Sequence, residues 1–242
     1  MKVREILKSL NLEPRKSKGQ NFLLNNSTAK SILDFSGLAS SSLVRTDTAV
    51  LEIGPGIGAL SSEILNYTKN FALIELESKF CNYLISTYQD LNPELVFNSN
   101  FNKIELSEIS EKLNSDKIFV ISNVPYSVSS EFFLWLIKNR KYVSTASLLF
   151  QREFSERLAS KPNSKQYGSL SILCEAFAKT KLGNIISGKS FYPSAEVESR
   201  LIKLDFREEL DFEIYDFKTF EKVIRAAFSH RRKTIYLSLI HI

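Results

Sequence analysis

The chain has 242 residues, 43% of them hydrophobic, with 32 Lys and Arg against 27 Asp and Glu for a net charge of +5. That much apolar material can build the core of one large domain, or of one domain with a small appendage, and the basic balance leans toward a polyanionic partner. With His230 and His241 as the only histidines, a zinc site or a histidine-based triad is close to excluded, and no metal is expected.

The opening M-K-V-R-E-I-L-K-S-L places Val3, Ile6, Leu7 and Leu10 at helical spacing among charges, so it lacks the unbroken apolar core of a signal peptide. No window reaches the length of a membrane span. Apolar, β-like runs then recur: A-V-L-E-I (49–53), F-A-L-I-E (71–75), L-V-F (95–97), I-F-V-I-S (118–122) and S-L-L-F-Q (147–151). Helical spacing over 59–65, 79–88 and 130–139 fills the intervals. This alternation predicts an α/β domain with a mainly parallel sheet.

After Phe150 come the polar loop K-P-N-S-K-Q (161–166), a helix over 169–177 and a late strand R-L-I-K-L-D-F (200–206). Near Glu208 the composition turns acidic, and a helix over 217–229 leads into H-R-R-K. The expected division is a catalytic domain at 1–207 and the start of a helical domain at 208–242, cut short while still amphipathic. Cys81 and Cys174 lie far apart in apolar, helix-like contexts and read as buried free thiols of a reducing cytoplasm.

L-E-I-G-P-G-I-G (51–58) joins the first strand to the next helix, with glycines at 54, 56 and 58. Pro55 removes an amide that a pyrophosphate cradle would use, so a nucleotide without phosphates fits better. Glu75 ends the second strand, where a carboxylate can accept both ribose hydroxyls. A glycine turn alone could be structural. Turn and acid together point to S-adenosylmethionine.

S-N-V-P-Y-S-V-S-S (122–130) ends the fourth strand, beside the first in a doubly wound sheet. The exocyclic amine of a nucleobase is a poor nucleophile, because its lone pair is delocalised and it has no low pKa for a base to exploit. Two acceptors, the Asn123 side-chain oxygen and a carbonyl at the Pro125 turn, can hold its hydrogens and aim the lone pair at a methyl sulfonium. Tyr126 offers a face on which the base can stack. In isolation N-V-P-Y could be a capped strand-to-helix turn; downstream of the glycine turn it reads as catalytic.

Seven segments in order now resemble the ribosomal RNA adenine N6,N6-dimethyltransferases, specifically the small-subunit enzymes. They are K-S-K-G-Q-N-F-L (16–23), L-E-I-G-P-G-I-G-A-L (51–60), S-N-V-P-Y-S-V-S-S, F-Q-R-E-F-S-E-R-L (150–158), Y-G-S-L-S (167–171), F-Y-P-S-A-E-V-E-S (191–199) and A-F-S-H-R-R-K-T (227–234). The resemblance implies a Rossmann-like S-adenosylmethionine-dependent methyltransferase sheet with a small C-terminal helical domain. It implies dimethylation of two adjacent adenines in the 3′-terminal hairpin loop of small-subunit rRNA, within a pre-ribosomal 30S particle, by a cytoplasmic monomer. The large-subunit adenine methyltransferases share the glycine and Asn-x-Pro-Tyr segments, but the last two segments favour the small-subunit branch.

The resemblance also implies that Asn21 and Leu23 border the cofactor, Gly54 lies at its methionyl part with Gly56 in the same turn, and Glu75 holds its ribose. Asn123 is then shared between cofactor and target amine, and Phe191 sandwiches the adenine with Tyr126; by itself, F-Y-P would read as a loop aromatic tucked into a core. Arg15, Lys16, Lys18, Lys161 with Lys165, and Arg231, Arg232 and Lys233 become phosphate contacts around the catalytic mouth, although each cluster alone is also a solvated face. Two positions depart from the family pattern. Val124 replaces a usual leucine, and Asn100 stands where an Asp usually receives the cofactor's adenine amine.

Overall fold

In the computed structural model, which describes residues 3–15, 19–38, 48–210 and 212–228, the alternating pattern closes into one seven-stranded sheet. The helix α1 (Val3–Ser9) precedes a two-residue strand β1 (Phe22–Leu23) and α2 (Asn26–Ser36). Then follow β2 (Val50–Ile53), α3 (Ser61–Ile64), β3 (Phe71–Glu75), α4 (Ser78–Thr87), β4 (Val96–Asn98), α5 (Leu106–Lys112), β5 (Ile118–Asn123), α6 (Ser129–Lys138) and β6 (Val143–Gln151). The chain continues through α7 (Arg152–Leu158), α8 (Ser169–Phe177), β7 (Ala178–Ile186), β8 (Phe191–Tyr192), β9 (Ser199–Phe206) and α9 (Phe217–Ala227).

The sheet order is β4-β3-β2-β5-β6-β9-β7. Strands β4 to β6 are parallel, and β9 and β7 join antiparallel. Helices cover both faces of the parallel part, which is why V-L-E-I and F-A-L-I-E are buried at every position rather than at alternate ones. Because β3 and β5 flank β2 on opposite sides, the winding reverses at β2, and the crevice at its C-terminal end is where such sheets bind ligands. Among the described residues no helix is long and apolar enough to cross a membrane.

Three differences from the sequence pattern have physical causes. Strand β6 begins at Val143, before the apolar run, because V-S-T-A, with half-buried Ser144 and Thr145 between buried Val143 and Ala146, already pairs with β5 and β9. Strand β7 carries the exposed Lys179 and Lys181 and a register shift between Leu182 and Ile185. It is an edge strand whose lysines keep its open side from pairing further, and that charge hides its β character. The predicted helix over 59–65 shrinks to Ser61–Ile64 because turns of the glycine loop run to Leu60.

Two packing contacts shape the site. Strand β1 pairs antiparallel with β8, setting Phe22 opposite Tyr192 and Leu23 opposite Phe191. Val3, Ile6 and Leu7 of α1 pack with Phe22, Ile57 and Phe80 over the outside of the glycine turn, the Phe22 and Phe80 rings meeting edge-on at 5.6 Å. Each such buried side chain contributes roughly 1.5–3 kcal/mol before ordering entropy is subtracted. At the other end, α9 lays Phe217 and Phe220 against Phe177 of α8 at 5.9 and 6.0 Å. Cys81 and Cys174 are buried free thiols, which burial pushes up to about 11 and about 12.

Candidate active site

The crevice at the ends of β2, β3 and β5 is a cavity of about 300 Å³. Asn21, Leu23, Gly54, Gly56, Glu75, Asn100, Asn123, Pro125 and Tyr126 all line it. Gly54 has φ +69°, and a Cβ built on it meets nothing within 4 Å. Its neighbour in that direction is the cavity itself, so the backbone is bared to whatever occupies the space.

The amides of all three glycines of the turn are already used. Gly54 N–H donates to the Ile74 carbonyl at 2.9 Å, Pro55 has none, Gly56 N–H donates to Glu75 Oε2 at 3.0 Å and Gly58 N–H to the Pro55 carbonyl at 2.9 Å. A phosphate cradle needs such donors free. This turn instead presents a carboxylate. Glu75 is 7% exposed, and Glu77 N–H donates to its Oε1 at 2.8 Å. Burial raises its pKa, and the amides of Glu77 and Gly56 pull it back down. Each oxygen keeps a further lone pair for a hydroxyl donor.

Glu52, which sequence reasoning passed over, also faces the cavity. It is 1% exposed and accepts from Ser61 Oγ at 2.6 Å. Burial pushes its carboxyl up to about 8, so it holds its proton at neutral pH. An acid inside the otherwise apolar V-L-E-I strand was the available signal. Asn100 lines the same cavity but turns its Oδ1 back toward the amide of Asn102 at 3.4 Å, capping the short turn over 101–103.

Asn123 closes β5, which Ser122 ties to β2 by donating from Oγ to the Ile53 carbonyl at 2.6 Å. The Asn123 Nδ2 donates to the Asn21 carbonyl at 2.9 Å. That bond engages one of the two Nδ2 hydrogens, fixes the orientation of the amide and leaves Oδ1 as its acceptor. Gly19, at φ +63°, makes this approach possible: a Cβ there would stand 3.1 Å from the Tyr126 amide nitrogen. The Pro125 carbonyl accepts from Val128 N–H at 3.1 Å, so it is not the inward acceptor expected at this turn. Val124 is buried, follows Asn123 directly and also lines the cavity.

The family model for ribosomal RNA adenine dimethylases matches residues 11–242. The chain belongs to that family. Ribosomal RNA small subunit methyltransferase A of Clostridium botulinum (strain Kyoto / Type A2) is 32% identical over 239 residues, covering 99% of this chain and 84% of the relative. The protein of the same name from Streptococcus sanguinis (strain SK36) is 33% identical over 98% of this chain and 80% of its own length. A dimethyladenosine transferase from Plasmodium falciparum superposes with a TM-score of 0.73 at 26% identity, covering 90% of this chain and 74% of that one. The 23S rRNA methyltransferase ErmE shares the fold, with a TM-score of 0.66 at 21% identity over 91% of this chain and 84% of that one.

In this dimethylase Tyr126 is half-buried, and its hydroxyl lies 2.7 Å from Ser199 Oγ, which is 0% exposed at the start of β9. Burial raises the phenol's pKa and the serine bond lowers it. Ser199 closes the E-V-E-S segment, but nothing in that segment points to a tyrosine far upstream. Phe191 requires a correction. It is 2% exposed, packs in the core with Leu23, Ile186 and Leu201, and is absent from the cavity wall. Its pairing opposite Leu23 in the β1–β8 ladder holds it behind the cavity, as the plain reading of F-Y-P had it.

The basic residues of the dimethylase divide in three. Arg15 is half-exposed, with its guanidinium 3.8 Å from the Glu77 carboxylate and its backbone amide bound to Gln20 Oε1 at 3.0 Å. Lys16, Lys18, Arg231, Arg232 and Lys233 lie outside the described residues. Lys161 is not at the catalytic mouth: it pairs with Glu175 at 2.8 Å beside a second cavity.

Proposed function

We propose that this dimethylase transfers methyl groups from S-adenosylmethionine to the N6 amines of two adjacent adenines in the 3′-terminal hairpin loop of small-subunit rRNA. Its substrate is a pre-ribosomal 30S particle in the cytoplasm, and it acts as a monomer. Residues 1–207 form the catalytic domain and 208–242 begin the helical domain that helps to hold the particle. The observation that carries the reading is the Asn123 amide, whose nitrogen is tied to Asn21 and whose oxygen is left as an acceptor beside a turn whose glycine amides are already bonded. Relatives named as small-subunit rRNA methyltransferases, similar over nearly the whole chain, support the choice of RNA.

S-adenosylmethionine, when bound, supplies a methyl group on a cationic sulfonium. The residues present fit it: Glu75 offers oxygens to ribose hydroxyls, Gly54 leaves room beside bare backbone, and Glu52 is a carboxyl that a cation can induce to ionise. Asn123 Oδ1 and the Val124 carbonyl accept the two hydrogens of the target amine. As the nitrogen pyramidalises those bonds improve, favouring the transition state over the planar ground state. Tyr126 carries the base on its ring. In the second transfer the amine has one hydrogen left, so one acceptor suffices and the methylated base is repositioned.

The deciding assay incubates the protein and S-adenosylmethionine with small subunits lacking the modification, with large subunits and with DNA. The expected product is N6,N6-dimethyladenosine at two adjacent positions of small-subunit rRNA alone. Methylation of large subunits or DNA instead, or exhaustive reaction ending at the monomethyl base, would contradict the assignment.

A further inference from the structure

A second cavity, of about 240 Å³, lies where β9 ends and β7 begins. Its wall carries Lys161, Lys179 and Arg207 against one carboxylate, Glu175, which is taken by Lys161. Asp205, directly across the ladder from Lys179, is turned toward Thr145 at 2.9 Å and Lys203 at 3.6 Å. Glu208 and Glu209 are exposed and do not line the cavity. Two positive charges therefore face the space without a partner among the described residues.

Arg207 shows this most sharply. Its backbone amide is fixed on the Phe177 carbonyl at 2.9 Å, and its Nε is buried with no hydrogen-bond partner among the described residues. A guanidinium cannot shed its proton to escape that state, and a buried N–H left unmatched calls for an acceptor beyond the described residues, which a bound anion supplies. A planar guanidinium fork with a lysine point charge beside it suits a phosphate group. The wall has no aromatic side chain on which a base could stack, which disfavours a nucleotide. The exposed Lys179 at the rim leaves the site open to a polymer.

We propose that this cavity binds a backbone phosphate of the substrate RNA, a proposal that rests on rRNA as the substrate. The site is separate from the catalytic cavity. Strand β9 runs 8 residues from Ser199, beside Tyr126, to the residue before Arg207, a span of roughly 26 Å at about 3.3 Å per residue. The RNA is thereby gripped at both poles of the sheet, with the far contact setting register and the near one presenting the base.

The test measures binding to unmodified small subunits across a salt series for wild type, Arg207→Gln and the surface variant Lys179→Ala. Each variant is expected to bind several-fold more weakly and to lower the slope of log affinity against log salt by about one, while saturating particle still gives wild-type methyl transfer. Lys179→Ala keeps the question open should Arg207→Gln fold poorly. Wild-type slopes in both variants overturn the proposal. In a parallel arm, inorganic phosphate is titrated against thermal unfolding. Protection of wild type but not Arg207→Gln, with unchanged slopes on particles, identifies a free-phosphate site and overturns the RNA assignment. Should wild type itself neither bind nor methylate small subunits, the substrate reading fails first and visibly, and this proposal with it.

Discussion

The side-chain nitrogen of Asn123 donates to the backbone carbonyl of Asn21 at 2.9 Å, joining residues 102 apart in sequence. The bond decides which end of the amide can serve a substrate. Asn123→Ala removes an oriented acceptor, so methyl transfer is expected to fall by roughly two to three orders of magnitude, as for loss of an oxyanion-hole donor. Calorimetry should find cofactor affinity within several-fold of wild type. Turnover close to normal would remove Asn123 from the chemistry.

Ser199 fixes the phenol of Tyr126 from a position with no contact to the cavity. Removing the hydroxyl frees the ring to turn, so Ser199→Ala is expected to raise KM for the RNA several-fold with little change in S-adenosylmethionine affinity. Tyr126→Phe breaks the same bond from the other side. The double variant should be no worse than either single one, because one interaction is lost once. Additive losses would show that the two hydroxyls act separately.

Glu52 links the site to stability. Below about pH 4.5 the carboxyl is protonated both folded and unfolded; above it the unfolded chain ionises, while the folded chain holds the proton until about 8. Stability is therefore lost as pH rises through this window, by at most about 5 kcal/mol for a gap of this size. Glu52→Gln keeps an acceptor for Ser61 but cannot ionise. Melting curves should show the variant equal to wild type near pH 4 and more stable near pH 8. Parallel pH profiles for the two proteins would mean that Glu52 titrates normally.

The Asn100 side-chain oxygen, which the family resemblance sets toward the cofactor's adenine amine, is neutral and already caps the Asn102 amide. A carboxylate would supply a charge-assisted bond and no competing donor, a difference of roughly 1 kcal/mol. Asn100→Asp is expected to tighten S-adenosylmethionine binding several-fold without changing which RNA is methylated. Calorimetry giving equal or weaker affinity for the Asp variant would place residue 100 away from the adenine.

The parallel strands could be read from the sequence because burial on both faces leaves an uninterrupted apolar run, as in F-A-L-I-E. Strand β7 could not, since its exposed lysines imitate a loop, and the pair β1–β8 is too short to show any period. That Gly54, Glu75 and Asn123 would meet at one cavity could be read because each stands at or just past a strand end, where a sheet of this winding opens its crevice. Ser199 acts through a partner that only the folded chain supplies, so no local pattern marks it, whereas Glu52 was marked only by being an acid inside an apolar strand. Phe191 shows the opposite case: family resemblance set it against a base, while its ladder position holds the ring in the core.

The wall of the cavity built by Gly19 to Leu23 is synthesised well before β8, its partner in a small two-stranded sheet. A growing chain thus carries its glycine turn, Glu75 and Asn123 for on the order of ten seconds, at about 5–20 residues per second, before that wall has anything to pair with. Until Phe191 and Tyr192 arrive, Phe22 and Leu23 lack their strand partner and the pocket lacks a side. Closure of the pocket is therefore timed by translation, because its β1 wall has no strand partner until most of the sheet's sequence has been made.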